Sequence, residues 1–240
     1  MVIQSAIFKI GGKILGNSKN LINTIAQFTQ LFEDNIINKI ILIPGGGLLA
    51  NFVRTIYSEF QFSDELAHWM AIYSMDFNGI ELKRKFPHLK THDDYEKIEK
   101  ESRVISIFLP YKYLRNENEL PHAWDVTSDS ITLYLAKKFK MSECFLIKDV
   151  DGILDDKNEV IKEISALKFK EMRDSGKLLE VKSNNQELKE RTNPVDPFIT
   201  TLIEKYKISC IILNGSKNNS MILNYFKSTN KEEKVFSKIK

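Results

Sequence analysis

Four short stretches of the chain bring cations, carboxylates and glycines together in patterns suited to handling a phosphate. Lys9-Ile10-Gly11-Gly12-Lys13 follows an apolar run. Glycines there let backbone N–H groups approach an anion, and a lysine adds a positive point charge. A plain strand-to-loop turn is the alternative. Pro44-Gly45-Gly46-Gly47-Leu48-Leu49-Ala50-Asn51 has three consecutive glycines, more than a turn needs. This is a wide nest of amides at a helix start, and it favours anion binding. No Lys-Ser/Thr pair follows, so it is not a Walker-type phosphate loop. The stretch also fits the dinucleotide pattern Gly-x-Gly-x-x-Ala, but Glu65, at the distance of the ribose-binding acid, falls in a helical pattern rather than at a strand end.

Trp124-Asp125-Val126-Thr127-Ser128-Asp129-Ser130 opens another helix. Capping accounts for one of its oxygens. A carboxylate beside bound phosphates can also orient lysines and Mg²⁺, which makes Asp129 the organiser. Lys148-Asp149-Val150-Asp151-Gly152-Ile153 closes an apolar run. That is the carboxyl edge of a sheet, where open α/β folds bind ligands; a surface turn is the alternative.

Positioning these stretches requires strands and helices in alternation. Ala6–Ile10, Ile40–Ile43, Val104–Leu109, Phe145–Ile147 and Ile208–Leu213 are short apolar runs typical of buried parallel strands. Between them lie helical spacings: Leu21, Ile25, Phe28, Phe32 behind an Asn17 or Ser18 cap; Leu49, Val53, Ile56, Phe60; and Ile131, Leu135, Phe139. A further helix is capped by Ser63, with Leu66, Trp69, Met70, Tyr73 and Phe77 as its apolar stripe. Lys83–Arg103 reads as an exposed helix or mobile loop with solvated His88 and His92. Lys227–Lys240 reads as a frayed, solvated tail. The alternation predicts an α/β fold with a mainly parallel sheet.

Composition narrows the classes of function. The chain has 240 residues, 42% hydrophobic and 28% charged, an ordinary globular balance. Its 35 Lys and Arg against 32 Asp and Glu are dispersed, without the dense cationic stripe of a nucleic-acid binder. Cys144 and Cys210 sit in apolar runs and read as free buried thiols of a reducing compartment. No apolar stretch reaches transmembrane length and no charged leader precedes the first apolar residues, so the expectation is a soluble cytoplasmic protein.

Taken together in this order, Lys-x-Gly-Gly, Gly-Gly-Gly-x-x-Ala-Asn, Thr-Ser-Asp-Ser and Val-Asp-Gly-Ile resemble the amino-acid kinase family over essentially the whole chain. That family includes acetylglutamate, aspartate, uridylate, isopentenyl phosphate and glutamate 5-kinases. Three further stretches are similar to one branch of it, the kinases of methanofuran-type cofactor synthesis: Ser63 to Asp76, Leu120 to Asp129, and Val195-Asp196-Pro197 with Leu213-Asn214-Gly215. That branch acts on [5-(aminomethyl)furan-3-yl]methyl phosphate.

The resemblance implies a three-layer α-β-α sandwich of about eight strands. It implies one domain, with residues 1–122 receiving the acceptor and 123–240 the nucleotide. It implies ATP and Mg²⁺, a small-molecule acceptor rather than nucleic acid or membrane, and a homodimer. Lys9 meets the phosphoryl group in flight, and Gly11 and Gly12 donate N–H groups. Asp129 orients Lys9 and Lys148, with Ser128, Asp151 and Gly152 on the nucleotide side. Gly45, Gly46 and Gly47 hold the acceptor. The second phosphate lysine of acetylglutamate kinases stands in a Gly-Gly-Met-x-x-Lys stretch that this chain lacks, leaving Lys148 or Lys182 as its replacement.

The acceptor wall is expected from Arg54, Asp64, His68, Asp76 and His122. Asp64, His68 and Asp76 are read as one helix face, its two carboxylates receiving an ammonium and His68 or Arg54 touching the acceptor phosphate, with a solvent-facing edge as the alternative. No general base is needed for a phosphate acceptor, which is already largely dianionic near pH 7 because its second pKa is about 6. Other acceptors, such as isopentenyl phosphate, UMP or a carboxylate, and a non-catalytic nucleotide or oxyanion binder of the same fold, remain the alternatives.

Overall fold

The computed structural model describes residues 2–179, 194–216, 220–230 and 232–240. Its elements are, in chain order, β1 (Ile3–Ile10), α1 (Gly12–Leu15), α2 (Ser18–Glu33), β2 (Ile37–Pro44), α3 (Gly47–Phe60), α4 (Asp64–Lys85), β3 (Lys90–His92), α5 (Tyr95–Glu99) and β4 (Val104–Phe108). They continue with α6 (Pro110–Glu117), α7 (Ser128–Lys138), β5 (Glu143–Lys148), β6 (Glu163–Ile164), α8 (Ala166–Asp174), α9 (Ile199–Tyr206), β7 (Ser209–Asn214), α10 (Met221–Lys227) and β8 (Ser237–Ile239).

The strands form one eight-stranded sheet in the order β3-β4-β2-β1-β5-β7-β8-β6. Every neighbouring pair is parallel except β7 with β8. Helices cover both faces, so both sets of alternating side chains are buried. On one face Ile7, Ile41, Leu146 and Ile212 join a core with residues of α4, α7, α8 and α9. On the other, Phe8, Leu42, Phe145 and Ile211 meet α2 and α10. This is the expected three-layer sandwich.

Strand order reverses beside β1. The chain builds outward through β2 and β4 on one side of β1, then returns to lay β5 on the other. The crevice beyond the carboxyl ends of β1 and β5 is therefore the topological switch point, where an open sheet leaves room for a ligand. Residues 9–12 and 148–149 stand at that point.

Three expectations are corrected. Lys83–Arg103 is neither one exposed helix nor a mobile loop. It holds the end of α4, strand β3 and helix α5, anchored by fully buried Leu89 and Ile98. In it His92 is half-buried, its Nδ1 2.7 Å from Ser106 Oγ. The C-terminal segment is not a frayed tail: β8 inserts between β7 and β6 with Ile239 fully buried. Finally, Leu66, Tyr73 and Phe77 of α4 face outward. Trp69 is buried as expected, and the rest of the buried apolar stripe is Ile72, Met75 and Leu82. The outward set lines one exposed groove with Leu49 and Phe52 of α3.

Candidate active site

A cavity of about 830 Å³ opens at the switch point, with Lys9, Gly12, Gly46, Gly47, Asp129 and Lys148 among its lining residues. Strand parity explains the two lysines. Lys9 is two residues beyond Ile7 and Lys148 two beyond Leu146, so both point to the face covered by α7. There Asp129, in the first turn of α7, takes both: Lys9 Nζ lies 2.8 Å from Oδ1, and Lys148 Nζ donates to Oδ2 at 2.7 Å and to Oδ1 at 2.8 Å. Lys9 and Asp129 are only 5% and 3% exposed.

Two ammonium groups share one carboxylate, so the cluster carries a net positive charge at the wall of the cavity. Burial, assisted by the neighbouring Lys148 ammonium and opposed by Asp129, lowers Lys9 to about 8. Burial alone pushes the Asp129 carboxyl up, but the two ammonium groups overcome it and hold the acid at about 2. Burial likewise works to lower Lys148, and the Asp129 carboxylate overcomes it, so this lysine lies above its ordinary value. A buried excess cation is costly unless an anion completes the set. The arrangement is thus built to receive a negatively charged group.

A second carboxylate fixes the first. Asp196, 7% exposed, accepts from Thr127 N and Oγ1 and from Ser130 N and Oγ, and also from Ile199 N. Thr127 Oγ1 in turn accepts from Asp129 N at 3.3 Å, capping α7. The start of α7 is thereby tied to α9, with Asp129 held over the lysines.

The two glycine loops touch each other. A Cβ on Gly12 would come within 2.8 Å of Gly47 Cα, and Gly47 itself has φ of +56°, the left-handed region that glycine adopts freely. Asn78 Nδ2 donates to the carbonyls of Gly45 and Gly46 at 2.7 and 2.9 Å, tying the turn to α4. Not all the predicted donors are available. Gly11 N–H is committed to Ile147 O and Gly45 N–H to Ile10 O, because both amides continue the strand ladder. Gly12, Gly46 and Gly47 line the cavity, and no described residue accepts from their N–H groups.

The expected acceptor residues Arg54, Asp64, His68 and His122 all line the same cavity, joined by Trp124. Tyr57 OH donates to Asp64, the Tyr57 ring lies 5.2 Å from Trp124, and the Arg54 guanidinium sits 5.1 Å from the Trp124 ring centre. His122 Nε2 is 2.8 Å from Asn118 Oδ1. His68 is buried beside His122, and its pKa falls to about 4, through burial and then the His122 charge.

Asp76 is not brought into this group. Twelve residues turn a helix by about 1200°, leaving Asp76 about 120° around from Asp64 and about 18 Å along the axis. Its carboxylate instead accepts from Tyr111 N at 3.0 Å, capping α6. Burial raises its pKa to about 6. Ser128 lines the cavity, but Asp151 and Gly152 do not. Asp151 accepts from Asn214 Nδ2 at 2.7 Å, and Gly152 packs against Ser237. Lys148 stands beside Lys9 on the same carboxylate; Lys182 lies outside the described residues.

Several cavity residues were not among those expected. Lys13, which pairs with Asp149 at 3.3 Å, and Asn17, Asn20 and Ser216 line the end beside β5 and β7. Lys13 could have been read from its own glycine motif. The asparagines carry no such signal.

The chain matches the model of the amino acid kinase family over residues 4–214. It is 34% identical over 213 residues to the [5-(aminomethyl)furan-3-yl]methyl phosphate kinase of Methanocaldococcus jannaschii, covering 87% of each chain. Its fold is similar to that of uridylate kinase from Archaeoglobus fulgidus, with a TM-score of 0.68 at 17% identity over 99% of this chain and 100% of that one. UMP kinase from Ureaplasma parvum gives 0.66 at 18% identity over 100% and 97%. The chain belongs to the amino acid kinase family and is a phosphotransferase.

Proposed function

We propose that this kinase transfers the γ-phosphoryl group of ATP to a phosphate monoester, and that its acceptor is [5-(aminomethyl)furan-3-yl]methyl phosphate or a close chemical analogue. The observation that carries the reading is the Lys9–Asp129–Lys148 cluster, one net positive charge set between two glycine loops in a single cavity. The relative that is 34% identical supports the acceptor.

In the transfer, an oxygen of the acceptor phosphate bonds to the γ-phosphorus. The bond from that phosphorus to the β–γ bridging oxygen breaks, and its electron pair leaves on ADP. The dianionic acceptor brings no proton to remove, so the site needs positioning and charge rather than a base. Lys9 stabilises the oxygens of the moving group, Lys148 those on the nucleotide side, and Asp129 fixes both. The amides of Gly12, Gly46 and Gly47 add donors. Residues 1–122 supply the acceptor wall and residues 123–240 the nucleotide side.

Both Asp129 oxygens are engaged by lysines. Among the described residues no group of three or more His, Cys, Asp or Glu is placed to hold a metal. A Mg²⁺ ion would be held mainly through nucleotide oxygens and water and would supply neutralisation of phosphate charge. No helix among the described residues is long and apolar enough to cross a membrane, and Cys144 and Cys210 are buried free thiols, which supports a cytoplasmic setting. The exposed apolar surface of α3 and α4 supports a homodimer.

Phosphorus NMR of a reaction containing Mg-ATP and the furan phosphate tests this reading. The expected result is loss of the monoester signal and growth of coupled diphosphate resonances. UMP, isopentenyl phosphate and amino-acid carboxylates form the comparison panel. ATP left intact with every acceptor, or transfer to a carboxylate alone, overturns it.

A further inference from the structure

The charges lining the cavity are unevenly matched. Of the three carboxylates among its described lining residues, Asp129 is held by Lys9 and Lys148, and Asp149 is paired with Lys13. Among the described residues Asp64 meets only the neutral hydroxyl of Tyr57. One helical turn further along α4, on the same face, stands His68. The residue is only 7% exposed, and neither ring nitrogen bonds to a described residue. Its ring stacks on His122 at 4.7 Å and meets the edge of Trp69 at 5.1 Å, while its remaining surface faces the cavity. Its ring nitrogens are open to the cavity, where a ligand can supply the partner that the protein does not.

These two groups ask for the same thing. A carboxylate without a cation attracts a positive charge, and a neutral imidazole can accept one further N–H. With its pKa near 4, His68 stays uncharged at neutral pH and does not repel a cation. A primary ammonium has three N–H donors and can satisfy both at once. Around them, Trp124, Ile72 and Met75 give the cavity flat and apolar walls.

We infer that Asp64 and His68 form a subsite for a protonated primary amine, so that the enzyme selects phosphate monoesters carrying an aminomethyl group on a flat ring. This rests on the acceptor reading given above and adds the residues that discriminate. An acceptor with a methyl group there leaves a carboxylate and an imidazole desolvated and unmatched, which penalises it.

The test compares [5-(aminomethyl)furan-3-yl]methyl phosphate with its counterpart bearing methyl in place of aminomethyl, using the full chain and Mg-ATP. The wild type is expected to favour the amine in kcat/KM by about tenfold or more, chiefly through KM. Asp64→Asn is expected to reduce that preference about tenfold while KM for ATP shifts less than twofold. Tyr57→Phe, which loosens Asp64, reduces it by a smaller factor. Asp76→Asn, outside the cavity, retains the full preference.

Equal kcat/KM for the two furans in the wild type, or an unchanged ratio in Asp64→Asn, overturns the subsite and leaves the kinase reading intact. Phosphorylation of UMP or isopentenyl phosphate with neither furan turned over overturns the acceptor reading and the subsite together. Calorimetric titration of the two furans without nucleotide is a second readout, and equal affinities overturn the subsite whatever the turnover.

Discussion

The two ends of the cavity are built on opposite principles. At the phosphate end the central acid is buried and over-determined: Asp129 is fixed by two ammonium groups, its helix by Asp196, and the facing glycine turn by Asn78. At the acceptor end Asp64 is exposed and held by one hydroxyl, and Arg54 rests on an aromatic face. The chemistry common to a family sits where strand ends dictate position. On the proposed reading, selection of the acceptor sits on helices that can change without disturbing the sheet.

The contrast is broken most severely at Asp129. Asp129→Asn leaves two buried lysines facing each other without a counter-charge. The expected result is a loss of about 10³-fold in kcat and about 3 kcal/mol in stability by denaturant titration. Next comes Asp196→Asn, which turns an amide N–H₂ toward groups that themselves donate. It should lower kcat about tenfold and stability by about 2 kcal/mol, with KM for the acceptor little changed.

A smaller, graded effect comes from pH. Lys9 ionises at about 8 against an ordinary 10.5, so kcat/KM for ATP should fall about tenfold per pH unit above that point. Between those pH values the unfolded chain holds the extra proton, so the contribution of Lys9 to stability rises with pH while activity falls. The smallest effect is at Asp76, whose pKa is raised to about 6. Its ionisation costs stability as pH rises through that value. Asp76→Asn keeps the acceptor for Tyr111 N–H and should raise Tm by about 2 to 4 °C at pH 8, with no gain below pH 4.

The catalytic end was legible because its signals are local: an apolar strand ending in Lys-x-Gly-Gly, and a helix opening on Thr-Ser-Asp. Strand parity also carried the placement of Lys148 beside Lys9, since Leu146 and Lys148 share a face. The misassignment of Asp76 was an error of helical phase accumulated over twelve residues. The C-terminal strand was illegible because three residues, with Ile239 their buried apolar one, gain their place only from distant β7 and β6. Asn78 had no signal at all: a single amide on a long helix becomes meaningful only when the carbonyls of Gly45 and Gly46 are placed beside it.

The central claim is that Lys9 acts on the phosphoryl group as it moves, beyond any role in holding ATP. Single-turnover transfer from radiolabelled ATP by Lys9→Met, measured beside the Kd for ATP, tests this most directly. The account predicts a transfer rate lower by about 10³-fold with a Kd weakened less than tenfold. A transfer rate close to that of the wild type, or one that falls only in proportion to the weakened Kd, would contradict it.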